Sequence, residues 1–219
     1  MKKIAFKFPL ITSVLLVVSV ILNVFFYSKI KNTSDINLVE RVIDGDTFVL
    51  SFGQRVRLRG VDSPEMEFCG STEAKNALEE IILGKRVVLK DFFTDQYGRI
   101  EAFVYEGNRF VNLIMVSDGW ARFDSNKTSQ SSVLKEAFQN AQNSEKGIFS
   151  TLCRQKINLV NNDCKIKGNI EKNSIEKRYF FPGCQSYETT IVEKDLGESW
   201  FCTEKEAQAA GYKKGTNCP

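Results

Sequence analysis

From Leu38 onward the chain alternates apolar and polar residues in short bursts, and these bursts predict strands. "LVERVI" (38–43) is the first and "TFVLSF" (47–52) the second; after a turn at Gly53 comes "RVRLRGV" (55–61). In the third, Arg55, Arg57 and Arg59 alternate with Val56 and Leu58, so one face is apolar and the other cationic. "KRVVLKDFF" (85–93) and "RIEAFVYE" (99–106) read as two more strands, joined through "TDQYG". Helical spacing takes over at three places. The first helix, "TEAKNALEEIIL", is capped by Ser71 and ends at Gly84. The second, "VNLIMVSDG", stops at Gly119. The third runs from Ser131 to Gly147, with Val133, Leu134, Ala137, Phe138 and Ala141 on one side. Five strands and three helices in this order predict an α+β, mainly β domain: either a small closed or partly closed barrel such as the OB-fold, whose outer face often takes oligonucleotides, or a generic α+β domain.

Two further regions flank that domain, which spans 36–154. The apolar run Phe8–Tyr27, "FPLITSVLLVVSVILNVFFY", follows three lysines and is closed by Lys29 and Lys31. Twenty residues as a helix rise about 30 Å, the thickness of a hydrocarbon core. No A-x-A-like cleavage site lies between Ile21 and Lys31. Residues 1–31 therefore read as a retained transmembrane anchor, with a cleaved signal segment as the alternative. Either way the rest is expected outside the cytoplasm, at the cell membrane as a single-pass protein or secreted. After Cys153 the composition shifts. Residues 155–163 read as a polar linker, and 164–219 as a small module holding four cysteines.

Composition changes this picture in two ways. The net charge of +3 divides unevenly: +4 in residues 1–35, −2 in 36–154 and +1 in 155–219. The central domain thus has no diffuse basic field, and binding a polyanion requires a few aimed cations. Six cysteines in an exported chain read as disulfides. The complete absence of histidine removes the commonest general base and the commonest zinc ligand. Any catalysis must use carboxylates and arginines, with or without a metal.

The carboxylates are crowded where strands should be. Asp44, Asp46, Asp62 and Glu65 fall within "VIDGDTFVL" and "RLRGVDSPE", although acids are poor strand formers. Asp44-Gly45-Asp46 sits at a turn between two strands, and Gly45 is expected to supply a positive φ. Asp62 ends the third strand, where Pro64 prevents continuation. If the strand ends meet, Asp46 and Asp62 share a site that needs a cation, and oxygen ligands suit Ca²⁺ or Mg²⁺. Glu65 is then placed to orient or deprotonate a water. Arg57 and Arg99 are candidates to grip a phosphate. The plainer alternative is a surface turn with solvated arginines.

"IDGDT", "RLRGVDSPE", "DQYGR" and "FVNLIMVSDGWA", in this order, resemble the thermonuclease (staphylococcal nuclease-like) family, from about Leu38 to Ser150. The resemblance implies an OB-fold phosphodiesterase, Ca²⁺-dependent, cutting single-stranded or frayed DNA and RNA to 3′-phosphate ends. It implies Asp46 and Asp62 as calcium carboxylates, Ser63 as a backbone carbonyl ligand and Asp44 as an outer-sphere acid. Glu65 matches the general base, Arg57 and Arg99 the phosphate-binding pair, and Tyr97 a residue near the terminal phosphate. The chain departs from the family at "RFDSNKTS" (122–129), which has no tyrosine where the family packs the terminal nucleotide. Phe123 there reads as core. Relatives imply a Cys69–Cys153 disulfide. The tail resembles the small module called the sunset domain, of unknown partner. It contains no C-x-x-C pair, which disfavours zinc. Its four cysteines allow three pairings. The resemblance favours Cys164–Cys202 with Cys184–Cys218. A catalytically silent module binding nucleic acid or protein at the surface is the competing reading, and a surface-structural protein is a third.

Overall fold

The computed structural model describes residues 8–33, 37–124, 128–171 and 175–219, with side chains in the first segment only from 13 to 26. Helix α1 (Phe8–Thr33) is continuous, and its described apolar side chains, Val14 to Phe26, are exposed. Among the described residues, no helix is long and apolar enough to cross a membrane. The two ends of the expected span, residues 8–12 and Tyr27, lie outside the described side chains.

Strands β1 (Val39–Val42), β2 (Thr47–Leu50) and β3 (Arg55–Leu58) form an antiparallel meander. A two-residue strand, β4 (Val61–Asp62), follows, then helix α2 (Ser71–Ile82). Strands β5 (Val88–Thr94) and β6 (Ile100–Glu106) make a hairpin, extended by β7 (Arg109–Phe110). The sheet order is β1-β2-β3-β6-β5, with β3 and β6 parallel. The two ends of this order meet: Leu38 bridges Arg86, the Val39 N–H donates to Lys85 O, and the Val87 N–H donates to Asn37 O. The result is a mixed α+β fold consistent with the expected OB-type barrel. Helix α3 (Val111–Ser117), strand β8 (Arg122–Phe123) and helix α4 (Ser131–Asn143) complete the domain, and β8 pairs with β4.

The alternation in the strands is what fills the barrel. Phe48, Leu50, Val56, Leu58, Ala102 and Val104 point inward and are buried. Ala74, Leu78 and Ile82 of α2, Met115 and Val116 of α3, and Leu134 of α4 cover the open ends. Each large side chain so buried contributes about 1.5–3 kcal/mol. Phe123 packs against this core, as its position suggested. Two helix expectations need correction. Ser71 is not a cap: it lies buried inside the first turn of α2, and the cap is Gly70, which makes no side-chain bond. Val133 faces solvent on α4, because Leu134, Ala137 and Ala141 already span the buried stripe.

Asn112 of α3 is a polar link inside this apolar core. Its Oδ1 accepts from Val104 N–H at 2.8 Å, and its Nδ2 donates to Arg59 O at 2.9 Å and Ala102 O at 3.2 Å. One amide thereby pairs the Val104 N–H and the Arg59 carbonyl and adds a second donor to Ala102 O, which also accepts from Arg59 N–H at 2.9 Å.

The C-terminal part has its own small core of Ile166, Tyr179, Ala207 and Tyr212. Strand β9 (Arg154–Gln155) comes first in it and pairs with β12 (Val192–Glu193). Strands β10 (Ile166–Ile170) and β11 (Lys177–Phe180) are flanked by β13 (Trp200–Phe201) and β14 (Lys213–Lys214). Helix α5 (Glu204–Ala209) starts at Thr203, whose hydroxyl accepts from Glu206 N–H. The disulfides are Cys69–Cys153, Cys164–Cys202 and Cys184–Cys218. The expected linker is not free chain at its start, because Gln155 lies in β9 and its Oε1 accepts from Trp200 Nε1 at 2.9 Å. A short 3₁₀ turn, Lys194–Leu196, follows β12.

Replacing Asn112 by Leu strands the buried Val104 N–H and removes the Nδ2 donor to Arg59 O, while Ala102 O keeps its bond from Arg59 N–H at 2.9 Å; a buried group left unpaired costs about 1–3 kcal/mol. Urea denaturation should therefore show a loss of at least about 2 kcal/mol for Asn112→Leu.

Candidate active site

The turn between β1 and β2 is built by an acid. Asp44 Oδ1 accepts from Asp46 N–H at 3.0 Å and from Thr47 N–H at 2.7 Å, closing the bend with a side chain. Gly45 is there for a reason other than the expected one. Its φ is not positive; instead a Cβ at this position would lie 2.6 Å from Ala74 Cβ and 2.7 Å from Ser63 Cβ. Only glycine lets the turn press against both α2 and the end of β4.

That close approach buries Asp46, which is 1% exposed. Its Oδ2 accepts from Ser63 N–H at 2.8 Å. Its Oδ1 accepts from the Thr47 hydroxyl at 2.8 Å and from Arg57 Nη1 at 2.6 Å. Burial pushes its pKa up to about 7, with Arg57 opposing the rise and Asp44 adding to it. Arg57 reaches the other way too, donating from Nη2 to Asp62 Oδ1 at 2.7 Å. One guanidinium thus bridges the two predicted metal carboxylates. Burial opposes its charge, but Asp46 and then Asp62 outweigh that and raise its pKa.

Asp62 is the exposed member of the pair, its side chain 56% accessible. It ends β4, and Ser63 and Pro64 turn the chain into a loop that presents Glu65 to solvent. A cavity of about 120 Å³ opens beside these residues, lined by Asp62, Glu65 and Phe68 and, opposite, by Arg122, Asp195 and Leu196. The Cys69–Cys153 disulfide anchors the far end of the loop.

Arg99 enters from the β5–β6 turn. Asp95 organises it, accepting at Oδ1 from the Tyr97 and Arg99 N–H groups and at Oδ2 from Arg99 Nε at 2.8 Å. The next residue, Ile100, is paired with Val56, which precedes Arg57. The parallel register therefore sets Arg99, at the end of the turn just before β6, beside the strand that carries Arg57. Tyr97 is exposed at the tip of the turn, with the Arg99 guanidinium 5.3 Å from its ring centroid.

Sequence reasoning missed Thr47, Arg122 and the C-terminal acids. The Thr47 hydroxyl follows directly from "DGDT" once Asp46 is known to be buried. Nothing in the pattern linked Arg122 to Asp195, 73 residues away. Residues 125–127, in the stretch without tyrosines, lie outside the described residues.

The donors suit a hard cation. Asp46 and Asp62 offer carboxylate oxygens, and the pair is cation-seeking enough to hold an arginine between them. Among the described residues no group of three or more His, Cys, Asp or Glu is gathered for a metal. An ion here would keep much of its own water, as Ca²⁺ and Mg²⁺ can.

These features agree with what the chain is similar to. The family described as "Staphylococcal nuclease homologue" matches residues 55–151. An uncharacterized endonuclease of Haemophilus influenzae is 32% identical over 145 residues, covering 64% of this chain and 78% of that protein. The thermonuclease of Staphylococcus intermedius is 34% identical over 108 residues, 42% of this chain and 64% of that one. A rice (Oryza sativa subsp. japonica) protein named as a probable staphylococcal-like nuclease is 37% identical over 76 residues, 35% of this chain; the match spans only 20% of the rice protein's length. With the Asp46–Arg57–Asp62 bridge beside Glu65 and a relative matched over most of its length, the chain belongs to the staphylococcal nuclease homologue family.

Proposed function

We propose that this protein is a nuclease, a phosphodiester hydrolase that cuts single-stranded or frayed DNA and RNA with the help of Ca²⁺. The observation that carries this reading is the buried Asp46, joined through Arg57 to Asp62 next to the Glu65 cavity. Asp46 and Asp62 would hold the cation, with Ser63 offering its carbonyl, and Asp44 fixes the turn. The cation supplies charge neutralisation at the scissile phosphate. Glu65 orients and deprotonates the attacking water. Arg57 serves as countercharge to the carboxylates in the free protein and turns to the phosphate when they have a cation to share. Arg99 approaches from the β5–β6 turn, held by Asp95, and Tyr97 stands beside the terminal phosphate. Together the arginines stabilise charge gathering on the equatorial oxygens in the transition state. The water oxygen bonds to phosphorus as the bond to the 5′-oxygen breaks, the 5′-oxygen takes up a proton from solvent to become a hydroxyl, and a 3′-phosphate remains. No step needs histidine.

The run Phe8–Tyr27 supports an N-terminal membrane anchor with the remaining chain outside the cytoplasm, and three disulfides fit that compartment. The tail is read as a sunset-like module on the motifs that suggested it.

The deciding experiment is incubation of the full chain with single-stranded DNA, with Ca²⁺ or with a chelator. Metal-dependent loss of full-length DNA is expected. Retention of uncut DNA in both arms would favour the silent binding module.

Glu65→Gln and Arg99→Ala should each lower kcat at least about a hundredfold while the far-ultraviolet circular dichroism stays unchanged. Near-normal cleavage by either folded variant would remove its assigned role. Asp46→Ala and Asp62→Ala should weaken Ca²⁺ binding in calorimetric titration, because each removes an anionic oxygen from a sparse site. The raised pKa of Asp46 adds a pH dependence. In the metal-free protein its native pKa, about 7, lies above the ordinary 3.8, so the native state holds a proton the unfolded chain has lost. Stability of the metal-free fold should fall as pH rises between those values. Ca²⁺ must displace that proton, so its affinity should climb with pH and level off above about 7. Titrations across that range, with proton release read from buffers of different ionisation enthalpy, test it.

A further inference from the structure

The catalytic loop is not held by the barrel alone. Cys69 and Cys153 are cross-linked, and both bond through their backbones to one residue of the C-terminal module: the Cys69 N–H donates to Lys194 O at 3.3 Å, and the Lys194 N–H donates to Cys153 O at 2.8 Å. Phe68, whose N–H donates to Glu65 O at 3.0 Å, lays its ring on Gly197. Gly197 has φ +79°, and a Cβ there would lie 2.6 Å from Phe68 Cζ, so the contact is as close as a residue without a side chain permits.

The strand carrying Asp62 is held from the same side. Asp62 of β4 is the cross-strand partner of Arg122 on β8. The Arg122 guanidinium is buried. Its Nε donates to Asp195 Oδ2 at 2.7 Å, and its Nη2 donates to Asp195 Oδ1 and Glu193 Oε1 at 3.1 Å each. Fork-shaped pairing of this kind fixes orientation as well as distance. A buried ion pair is weak evidence of net stability, since apolar groups of the same volume serve as well or better. What it adds is a set position. The cavity beside Glu65 has one wall from the barrel domain and the other from Asp195 and Leu196.

We propose that the C-terminal module completes the catalytic centre: its turn from Glu193 to Gly197 is the wall that positions Asp62 and Glu65, with Asp195 as a positioning residue acting through Arg122 and Gly197 as one acting through Phe68. This rests on the nuclease reading for its catalytic meaning, but not for its geometry. A module that was merely tethered would touch the barrel anywhere; this one touches the loop that carries the general base and the strand that carries a metal carboxylate. Phe68 and Leu196 are then the walls that keep the cavity narrow.

The test uses the full chain with Asp195→Asn, which keeps the size and removes the charge, and Gly197→Ala, which drives a methyl group into the Phe68 ring. Two measurements are made on each. The first is kcat and KM on single-stranded DNA with Ca²⁺. The second, which needs no activity, is amide hydrogen exchange across residues 62–71 compared with β1, β2 and β3. Both variants should lose at least about tenfold in kcat with KM changed less than about threefold, since displacement of a catalytic group by about 1 Å is costly. Exchange over 62–71 should quicken at least about tenfold while β1–β3 stay protected. Wild-type kcat with unchanged protection of 62–71 in both variants would overturn the proposal. So would uniform loss of protection through the barrel, which marks a general fall in stability. If the wild type itself does not cleave, the nuclease reading fails and the exchange data alone decide whether the wall exists.

Discussion

Asp46 sits inside the barrel mouth with almost no contact with water, and a carboxylate so placed demands donors from every side. It obtains them from three separate parts of the chain: its neighbour Thr47, the β3 residue Arg57, and the backbone of Ser63 after β4. Satisfying one buried acid therefore draws β2, β3 and the catalytic loop to a common point. Even so, burial wins over the arginine, and the free acid holds its proton far more tightly than an exposed aspartate does. The site is built in a state of tension, with burial outweighing the hydrogen bonds and the one arginine that favour the charged acid. This is why the acids could be crowded into strand-like sequence without breaking the sheet: Asp44 serves as a turn cap, Asp46 as a buried acceptor bonded from several sides, and Asp62 as the exposed partner of Arg57.

The same handling of buried charge recurs at the junction between barrel and tail. Arg122 stands between Asp195 and Glu193, and Arg154 approaches Glu193 at 3.4 Å. A little further on, Glu198 accepts from the N–H groups of Glu193 and Ile170 and from Asn169 Nδ2. Burial pushes its pKa up to about 7 against those hydrogen bonds. Polar groups thus link strands β12 and β10 where a larger module would use apolar side chains. A part of the chain with so small a core gains definition from two disulfides and from fixed hydrogen bonds.

Much of this was legible from residue order because the barrel depends on local patterns. Alternation in "RVRLRGV" and "RIEAFVYE" marks strands whose inward residues do fill the core, and short turns fix which strands are neighbours. The disulfide partners followed from the resemblance to a family, not from spacing. The helix caps were less legible. Ser71 has the right chemistry for a cap, but the disulfide at Cys69 and the left-handed Gly70 bring the chain in so that Ser71 is already inside the helix. Gly45 carried the right residue and the wrong reason, since a close approach between distant segments leaves no mark on local pattern. The junction was invisible for the same cause: an arginine after "WA" and an aspartate in "EKDLGES" have no periodic relation, and only the folded chain brings them together.

The position of Asp195 so late in the chain has a consequence for synthesis. Domains tend to fold as they emerge, N-terminal first. The barrel and its carboxylates are complete in sequence once Cys153 has been made, but the acids that receive Arg122 lie 71 and 73 residues beyond that arginine. Until they arrive, Arg122 stands without its C-terminal partners, and the Glu65 loop has nothing behind it on that side. Closure of the site thus waits on a late stretch of the polypeptide. A chain halted after Cys153 carries Asp46, Arg57, Asp62, Glu65 and Arg99 and still lacks the turn from Glu193 to Gly197 that lies against Phe68 and Arg122.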